Sequence, residues 1–396
     1  MNLDFSPKLE RFRHTIRSYF DKDYPKDILE KVAIGTSLTT SDVRKAEMAL
    51  GAKGWLASAW PREYGGPGWS IEEQYIFDEE LERAGAPTVT PMGVIYVGPV
   101  IYTFGNEAQK EAWLPGIADG SVGWAQGYSE PGSGSDLASL QFSAVREGDE
   151  YVLNGTKIWT SAANHADWIF LLTRTSQEAK KQLGITFICA PLKAVGVSLK
   201  PIISIDGKYA LSQVDFVDVR VPVSNRIGEE GKGWTYSQYL LGNERTSYAR
   251  IGGKRTQLAN IRAIASKIPI GGNHRLIDEP GFAARLSAAE TRVDALEITT
   301  LRVLCAVADG GAPGKEASIL KIMATETAQE ITTLFCVAAG QHAIRKFDDS
   351  VSPQWTGDNA FAAPGVATYL GARAQSIYGG TNEIQRNIIA KHVLGL

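Results

Sequence analysis

The pattern of apolar and polar positions along the chain indicates helices first, then strands, then helices again. In the first part, apolar residues recur at three- and four-residue spacing, which predicts amphipathic helices over Glu72–Arg83 and Glu107–Ile117. Asn106 is predicted to cap the second of these helices, and Pro115 is predicted to end it.

The pattern changes near Gly123, where short strands are predicted. Asn154-Gly155 is predicted to form a hairpin turn between two of them. No long helical pattern interrupts this part, so we expect a compact antiparallel β unit rather than a parallel doubly wound sheet. The predicted strands are rich in β-branched and aromatic residues and lie between turn formers: Tyr151–Leu153, Trp168–Thr173, Gly184–Pro191 and Val214–Val221.

Helical spacing returns after Trp234 and continues to the end of the chain, with Gly271–Pro280 as its main interruption. We therefore predict an α+β fold that is mostly helical. Its parts are an N-terminal helical domain (1–121), a middle antiparallel β domain (122–230) and a C-terminal four-helix-bundle domain (231–396). With 396 residues and a hydrophobic fraction of 44%, the chain has enough apolar material for such cores.

Charge and composition change this picture little. The net charge is −3 with no basic block, so neither nucleic acid nor a membrane surface is expected as a partner. The N-terminal residues lack the continuous apolar core of a signal peptide, and no stretch approaches the roughly 18 apolar residues of a membrane span. The three cysteines are widely dispersed, so we expect no disulfide framework or metal site, and a cytoplasmic protein.

Two segments carry candidate chemistry. Residues 128–136 (YSEPGSGSD) combine hydroxyls and glycines in a loop whose backbone N–H groups suit a polyanion such as a phosphate. The alternative is an ordinary solvent loop. Residues 154–161 (NGTKIWTS) place a tryptophan beside two hydroxyls, which suits a flat hydrogen-bonding ring. The alternative is a tryptophan of the core.

Together these segments resemble the flavin-binding signatures of the acyl-CoA dehydrogenase family. The family's first signature reads Thr/Ser-Glu-Pro, small residues and Gly-Ser-Asp, and its second reads Trp-Ile/Thr-Thr/Ser. The helix–sheet–helix order is also similar, as are residues 216–222 (FVDVRVP), 228–230 (GEE) and 377–386 (IYGGTNEIQR). The resemblance therefore spans nearly the whole chain.

The resemblance implies FAD as cofactor, an acyl-CoA substrate and an electron-transfer flavoprotein as electron acceptor. It places Trp159 over one face of the flavin ring and Ser161 near flavin N5, with Thr160 between them. The remaining implied contacts divide by position. The flavin ring and its pyrimidine edge would contact Gln126, Tyr128 and Ser129. The pyrophosphate or the pantetheine would contact Gly134 and Ser135, and the adenosine half of FAD would contact Thr381 and Glu383 across a subunit interface. The acyl-CoA would contact Ser135, Arg245, Tyr378 and Gly379.

The reaction needs a carboxylate to take the proton next to the thioester carbonyl. Many members carry it directly after the tyrosine of the C-terminal motif, where this chain has Gly379. A second family solution, that of isovaleryl-CoA dehydrogenase, matches Glu244. On a helix, Glu244 would share an apolar face with Leu240, Leu241, Ser247, Tyr248 and Ile251, and desolvation there would raise its pKa. The alternative is a surface glutamate paired with a nearby arginine.

Other positions depart from the family pattern. The Arg-x-x-Phe-Gly stretch that meets FAD across a subunit interface is absent from 268–275, and a glycine pair near the adenosine is replaced at 338–342 (AAGQH). Such departures resemble branches that act on unusual acyl groups, namely the large subunits of pimeloyl-CoA dehydrogenases and the heterotetramers that shorten steroid side chains. Gly379 would leave space for a bulky or branched acyl chain.

We therefore expect an FAD-dependent dehydrogenation of an acyl-CoA to the trans-2-enoyl-CoA. Glu244 would take the α-proton and flavin N5 the β-hydride, in a homo- or hetero-tetramer. Two alternatives remain at this point. One is a non-catalytic or half-site subunit of a heteromeric enzyme, and the other is an oxidase or monooxygenase on the same fold.

Overall fold

The structure is a computed structural model, described here over residues 5–33, 35–244, 249–308, 317–344 and 365–396. Its N-terminal part is helical. Each of these helices buries an apolar face against a shared core that includes Phe20, Trp60 and Phe77. The helices are α1 (Pro7–Lys22), α2 (Lys26–Ala33), α3 (Thr40–Gly51), α4 (Ile71–Arg83), α5 (Gly98–Phe104) and α6 (Glu107–Ala118).

Both predicted helices of this part are confirmed, as α4 and α6. Asn106 caps α6 as predicted, with its side chain accepting the Gln109 N–H at 2.9 Å. The predicted end at Pro115 is wrong, because α6 continues to Ala118. A proline in the last turn removes only its own N–H from the helix, and buried side chains on both sides of it, those of Leu114 and Ile117, hold that turn in the core.

A π-helix, Met92–Val97, directly precedes α5. Its wider turn leaves carbonyl groups without regular helical partners, and the Trp60 indole N–H donates to Val94 O at 2.6 Å. A Cβ atom at Gly98 would lie 2.0 Å from the Trp60 ring, so only glycine allows this close packing.

The middle part is a curled sheet. Its strands follow the order β1-β4-β2-β3-β7-β6, with β5 paired to β4. The expected antiparallel pairing is confirmed for β2–β3, β3–β7, β4–β5 and β6–β7, whereas β1 runs parallel to β4. The strands are β1 (Trp124–Gly127), β2 (Ser143–Glu147), β3 (Glu150–Ser161), β4 (Trp168–Arg174), β5 (Ile185–Pro191), β6 (Val197–Ile203) and β7 (Tyr209–Pro222).

The hairpin turn predicted at Asn154-Gly155 is wrong, because both residues lie inside β3. The β3–β7 register shifts between Leu153 and Gly155, and Gly155 has a φ of 140°. Asn-Gly therefore marks a β-bulge here, where a glycine relieves the kink. The turn that does form a hairpin connects β2 to β3 at Gly148, whose φ is 63°.

The C-terminal part is helical again. The predicted interruption at Gly271–Pro280 is the short β8–β9 hairpin and a following 3-10 turn. Helices α8, α9, α10 and α12 pack together with α10 at their centre, as expected for the bundle. The elements are α7 (Gly233–Glu244), α8 (Ile251–Ala265), β8 (Pro269–Gly271), β9 (His274–Arg275), α9 (Pro280–Ala308), α10 (Ala317–Ala339), α11 (Gly365–Ala372) and α12 (Asn382–His392).

The predicted α+β class, mostly helical with a sheet in the middle, is confirmed. Among the described residues, no helix is both long and apolar enough to cross a membrane.

Candidate active site

The two segments singled out in the sequence lie side by side in the sheet. The loop 128–136 follows β1, and the Ile158 N–H of β3 donates to Ser129 O at 2.9 Å. Gln126 lies half-buried on β1 opposite Phe170 of β4, and Tyr128 is buried just beyond the strand. Ser129 is therefore held directly beside the strand that carries Trp159.

A buried ion pair fixes the base of this loop. Lys157 of β3 is fully buried, and its ammonium group donates to Glu130 Oε1 at 2.8 Å, to Tyr128 O at 3.1 Å and to Leu172 O at 2.8 Å. Burial lowers the pKa of Lys157 to about 8, against the opposing charge of Glu130. One side chain thus ties together the loop, β3 and β4.

The carboxylate of Glu130 also accepts backbone N–H groups. Gln141 N donates to one oxygen at 2.7 Å and Phe142 N to the other at 3.0 Å. Backbone hydrogen bonds between Glu130 and Ser133 close a tight turn in both directions, at 2.8 and 3.1 Å. The first half of the loop is therefore rigid, because its polar groups are hydrogen-bonded within the protein.

The tip of the loop is open. Gly134 and Ser135 are exposed, and a Cβ atom at Gly132 or Gly134 would meet nothing within 4 Å. A ligand can therefore approach the backbone closely here. This geometry suits a phosphate or an amide-containing chain, as the composition of the loop suggested.

Trp159 points away from the core. Its side chain is 58% exposed, and its φ of 59° lies in the left-handed region that a bulky residue rarely adopts. The β3–β7 register shifts again between Lys157 and Thr160, so a second bulge turns the indole outwards. The core interpretation of this tryptophan is therefore wrong, and the indole offers a flat apolar face beside the Ser129 loop.

The two hydroxyl residues after Trp159 differ in environment. Thr160 is buried, and its hydroxyl has no hydrogen-bond partner among the described residues. Ser161 is half-buried, and Ala162 after it has a φ of 57°. The buried Thr160 hydroxyl, which follows the exposed Trp159 in β3, can therefore still form a hydrogen bond with a bound ligand.

Glu244 is the last residue of α7, and its side chain lies outside the described residues. Helix α7 packs against β4, β5, α5 and the π-helix, and Leu240 one turn earlier is fully buried. The expected continuation of this helical face to Ile251 is wrong, because Ala249 and Arg250 are not helical and Ile251 begins α8. Arg245, Ser247 and Tyr248 lie outside the described residues.

The start of α7 is fixed by aromatic contacts. The Tyr236 ring lies 4.6 Å from the Phe104 ring of α5, and its hydroxyl accepts the Glu229 N–H at 2.9 Å. The Tyr239 hydroxyl accepts a hydrogen bond from Thr103 at 3.1 Å. Helix α7 is thus held in a defined position between the N-terminal helices and the sheet.

The remaining predicted residues form a separate group at the start of α12. Thr381 caps α12 by accepting the Ile384 N–H at 3.1 Å. Tyr378 and Glu383 are exposed, whereas Gly379 is half-buried and has a φ of 65°. Buried Gln385 supports this turn from below, donating to the carbonyl oxygens of Gly379 and Gly380 at 3.3 Å each.

Sequence reasoning missed two features of this region. The first is the burial of Lys157, which the sequence does not indicate because a lysine is normally exposed. The π-helix gives no periodic signal of its own. Only the glycines at 93 and 98 mark the place where helical packing is unusually close.

Comparison with known proteins gives a consistent result over the whole chain. Residues 6–121, 125–219 and 231–394 match the N-terminal, middle and C-terminal domains of acyl-CoA dehydrogenases. The acyl-CoA dehydrogenase FadE26 of Mycobacterium tuberculosis is 34% identical, covering 100% of this chain and 99% of that protein.

Solved structures agree with these matches. The Tcur3481–Tcur3483 steroid ACAD has a TM-score of 0.86 at 33% identity, and the ChsE4–ChsE5 complex from Mycobacterium tuberculosis has a TM-score of 0.86 at 34% identity. Each comparison covers 100% of this chain and 99% of the other. The resemblance to the branch that includes steroid side-chain enzymes is confirmed. The chain belongs to the acyl-CoA dehydrogenase family of flavoprotein oxidoreductases.

Proposed function

We propose that this protein binds FAD and dehydrogenates an acyl-CoA thioester between Cα and Cβ, giving the trans-2-enoyl-CoA. The observation that carries the proposal is the pairing of the Ser129 loop with the outward-facing Trp159 on adjacent parts of one sheet. We also propose the three domains 1–121, 122–230 and 231–396, and a cytoplasmic location, which the three unpaired cysteines favour.

The residues present fit FAD. Trp159 supplies an exposed aromatic face for a flat ring, and Thr160 a buried hydroxyl without a partner among the described residues. We assign ring-side contacts to Gln126, Tyr128, Ser129 and Trp159–Ser161. Gly134 and Ser135 offer open backbone for the pyrophosphate or the pantetheine. Bound there, FAD would supply the acceptor for the hydride from Cβ.

The chain itself must supply the base. Glu244 ends α7, a helix that packs against β4, β5 and the N-terminal helices, and its assignment as the base rests on the family resemblance. We assign it the removal of the α-proton, because a positioned carboxylate can act as a general base. Arg245, Tyr378 and Gly379 are assigned to the acyl-CoA, and Thr381 and Glu383 to the adenosine half of FAD.

A second candidate is a subunit that completes its site only with a homologous partner. The observation that favours it is that both similar steroid-branch structures above are complexes of two differently named proteins. The departures at 268–275 and 338–342 lie in the part of the site expected to meet FAD across a subunit interface. We propose a homo- or hetero-tetramer, with an electron-transfer flavoprotein as electron acceptor.

Anaerobic mixing of the purified yellow protein with acyl-CoA tests the assignment of the base. Glu244→Gln is expected to retain FAD and to bind the thioester but to lose flavin bleaching by about 10²–10⁴-fold in rate, the range for removal of a general base. Glu229→Gln is the matched control, since Glu229 is an exposed carboxylate just before α7.

The control variant should bleach at the wild-type rate. Bleaching of Glu244→Gln at the wild-type rate would remove Glu244 from the mechanism while leaving FAD binding intact. A chain that is stable but colourless when expressed alone, and yellow only with a homologous partner, would favour the half-site alternative.

A further inference from the structure

The two segments that carry the ring-side residues, 126–129 and 159–161, lead to one junction in the fold. Segment 126–129 lies on and just after β1, which Gly123 directly precedes. Segment 159–161 ends β3, and the turn 162–167 then leads into β4, which runs parallel to β1. The junction therefore lies where the start of β1 meets the turn that follows β3.

Hydrogen bonds join the two sides of this junction. The N–H groups of Asp167 and Trp168 donate to Gly123 O at 2.8 and 3.1 Å. In the opposite direction, the Gly123 N–H donates to the Asp167 carboxylate at 3.0 Å. The Asp167 carboxylate thus belongs to the turn after β3 and holds the residue before β1.

Arg44 of α3 reaches the junction from the N-terminal part. Its guanidinium group donates to the Asp167 carboxylate at 2.5 Å, to His165 O at 3.0 Å and to Gly120 O at 3.4 Å. These acceptors lie in the turn after β3 and in the segment between α6 and β1. A planar guanidinium has several donors in a fixed arrangement, so one side chain can hold acceptors from two segments in a defined geometry.

The residues around Arg44 fit this arrangement. A Cβ atom at Gly123 would overlap the guanidinium group and would lie 2.8 Å from His165 O, so glycine leaves the space that the arginine occupies. Thr40, one turn earlier in α3, makes a second contact, with its hydroxyl 2.7 Å from Nδ1 of His165. Helix α3 therefore contacts the turn 162–167 at two points.

We propose that Arg44 is a positioning residue for the flavin ring, which fixes segment 159–161 relative to segment 126–129 through the turn 162–167 and Gly123. The inference rests on the proposed function, because that function assigns the flavin ring to these two segments. Arg44 acts through the backbone of the junction and is distinct from the residues assigned to the ring itself.

Hydrogen exchange of the full-length protein tests this role without any need for turnover. Arg44→Met removes the guanidinium group, so the amides of Gly123, Asp167 and Trp168 should exchange faster by roughly fivefold or more. The matched control is Lys45→Met. Lys45 is the next residue of α3 and pairs with Asp27 of α2 at 2.7 Å, so its loss should leave exchange at the junction unchanged.

The bound flavin gives a readout that a merely stabilising arginine would not move. Arg44→Met should shift the visible absorption bands of the flavin, because the groups around the ring change position. It should also lower kcat for an acyl-CoA by roughly 10- to 100-fold, because a misplacement of about 1 Å at a reacting group can cost that much. KM should stay close to the wild-type value, because Arg44 is not assigned to the thioester.

Arg44→Lys gives the conservative comparison. It keeps the charge near Asp167 but not the planar group that also reaches His165 O, so it should recover part of each loss. Wild-type exchange, flavin spectrum and kcat in Arg44→Met would overturn the proposal, and so would equal losses in Lys45→Met. If Arg44→Met does not fold, wild-type behaviour of Arg44→Lys in all three measurements would overturn it.

Failure of the proposed function would look different. In that case no acyl-CoA would bleach the flavin of the wild-type protein, whatever residue stands at position 44. The exchange rates at Gly123, Asp167 and Trp168 and the flavin spectrum would still decide the role of Arg44.

Discussion

At the scale of single residues, Lys157 links the Ser129 loop to β3 and β4. It is a fully buried cation that contacts Glu130 and two carbonyl oxygens from different segments. Neither its burial nor its partner follows from the spacing of apolar residues, because a lysine normally indicates an exposed position. The sequence did predict that the segment around it belongs with the Ser129 loop, since both carry family signatures.

Replacement of Lys157 by methionine should lower the free energy of unfolding by about 3–5 kcal/mol, because Glu130 would remain buried without its cation. The Ser129 loop should also hold FAD less tightly. Urea unfolding followed by circular dichroism measures the first effect. Lys200→Met is the matched control, since Lys200 is 66% exposed and pairs with Asp215 on the surface, where a change of about 0–1 kcal/mol is expected.

The free energy of unfolding should depend on pH because of the same lysine. Burial lowers its pKa from 10.5 to about 8 in the folded protein, so between those values the unfolded chain binds more protons. The contribution of Lys157 to the free energy of unfolding should therefore rise as the pH increases from about 8 to about 10.5. The difference in free energy of unfolding between the wild type and Lys157→Met, measured across this pH range, isolates the contribution of Lys157. A difference that is flat or falls with pH would contradict the assigned burial.

Replacement of Trp159 should weaken the binding of FAD. An exposed indole that stacks on a flat ring contributes ~0.5–1.5 kcal/mol, so Trp159→Ala should weaken FAD binding by about 2- to 12-fold. Titration of the apoprotein with FAD measures this. Val217→Ala, which removes another exposed apolar side chain from β7, should leave the affinity unchanged. Equal weakening in both variants would indicate damage to the sheet instead of a lost stacking contact.

At the scale of elements, the helices and strands with clear periodicity were predictable, and their irregularities were not. Asn154-Gly155 carries the composition of a hairpin turn, but the strand pairing around it makes it a bulge. Pro115 has the composition of a helix end, yet burial of its neighbours keeps α6 intact to Ala118. In both cases tertiary packing overrides a local preference.

The π-helix provides a test at this scale. Gly98→Ala should destabilise the protein by about 1–3 kcal/mol or more, because the new Cβ would overlap the buried Trp60 ring. Gly132→Ala is the control, since its Cβ would meet nothing within 4 Å, and a change within about 0.5 kcal/mol is expected. Equal unfolding midpoints in urea for the two variants would contradict the packing of Trp60 against Gly98.

At the scale of the whole molecule, the order of helices, sheet and helices followed from the periodicity of apolar residues. The packing of the three parts against one another did not. No pattern along the chain shows that α7 packs between the π-helix and the sheet. The group at Thr381 and Glu383 lies at the start of α12 in the C-terminal part, whereas the Ser129 loop follows β1 in the middle part.

We propose that this chain, alone or with a partner subunit, uses FAD to remove hydrogen from Cα and Cβ of an acyl-CoA. The most direct measurement is anaerobic titration of the yellow protein with a panel of CoA thioesters, from short-chain to steroidal, with mass analysis of the product. We expect bleaching of the flavin by at least one thioester, together with an enoyl-CoA that has lost two hydrogens. Thioesters that bind without bleaching the flavin and are recovered unchanged across the panel would contradict it.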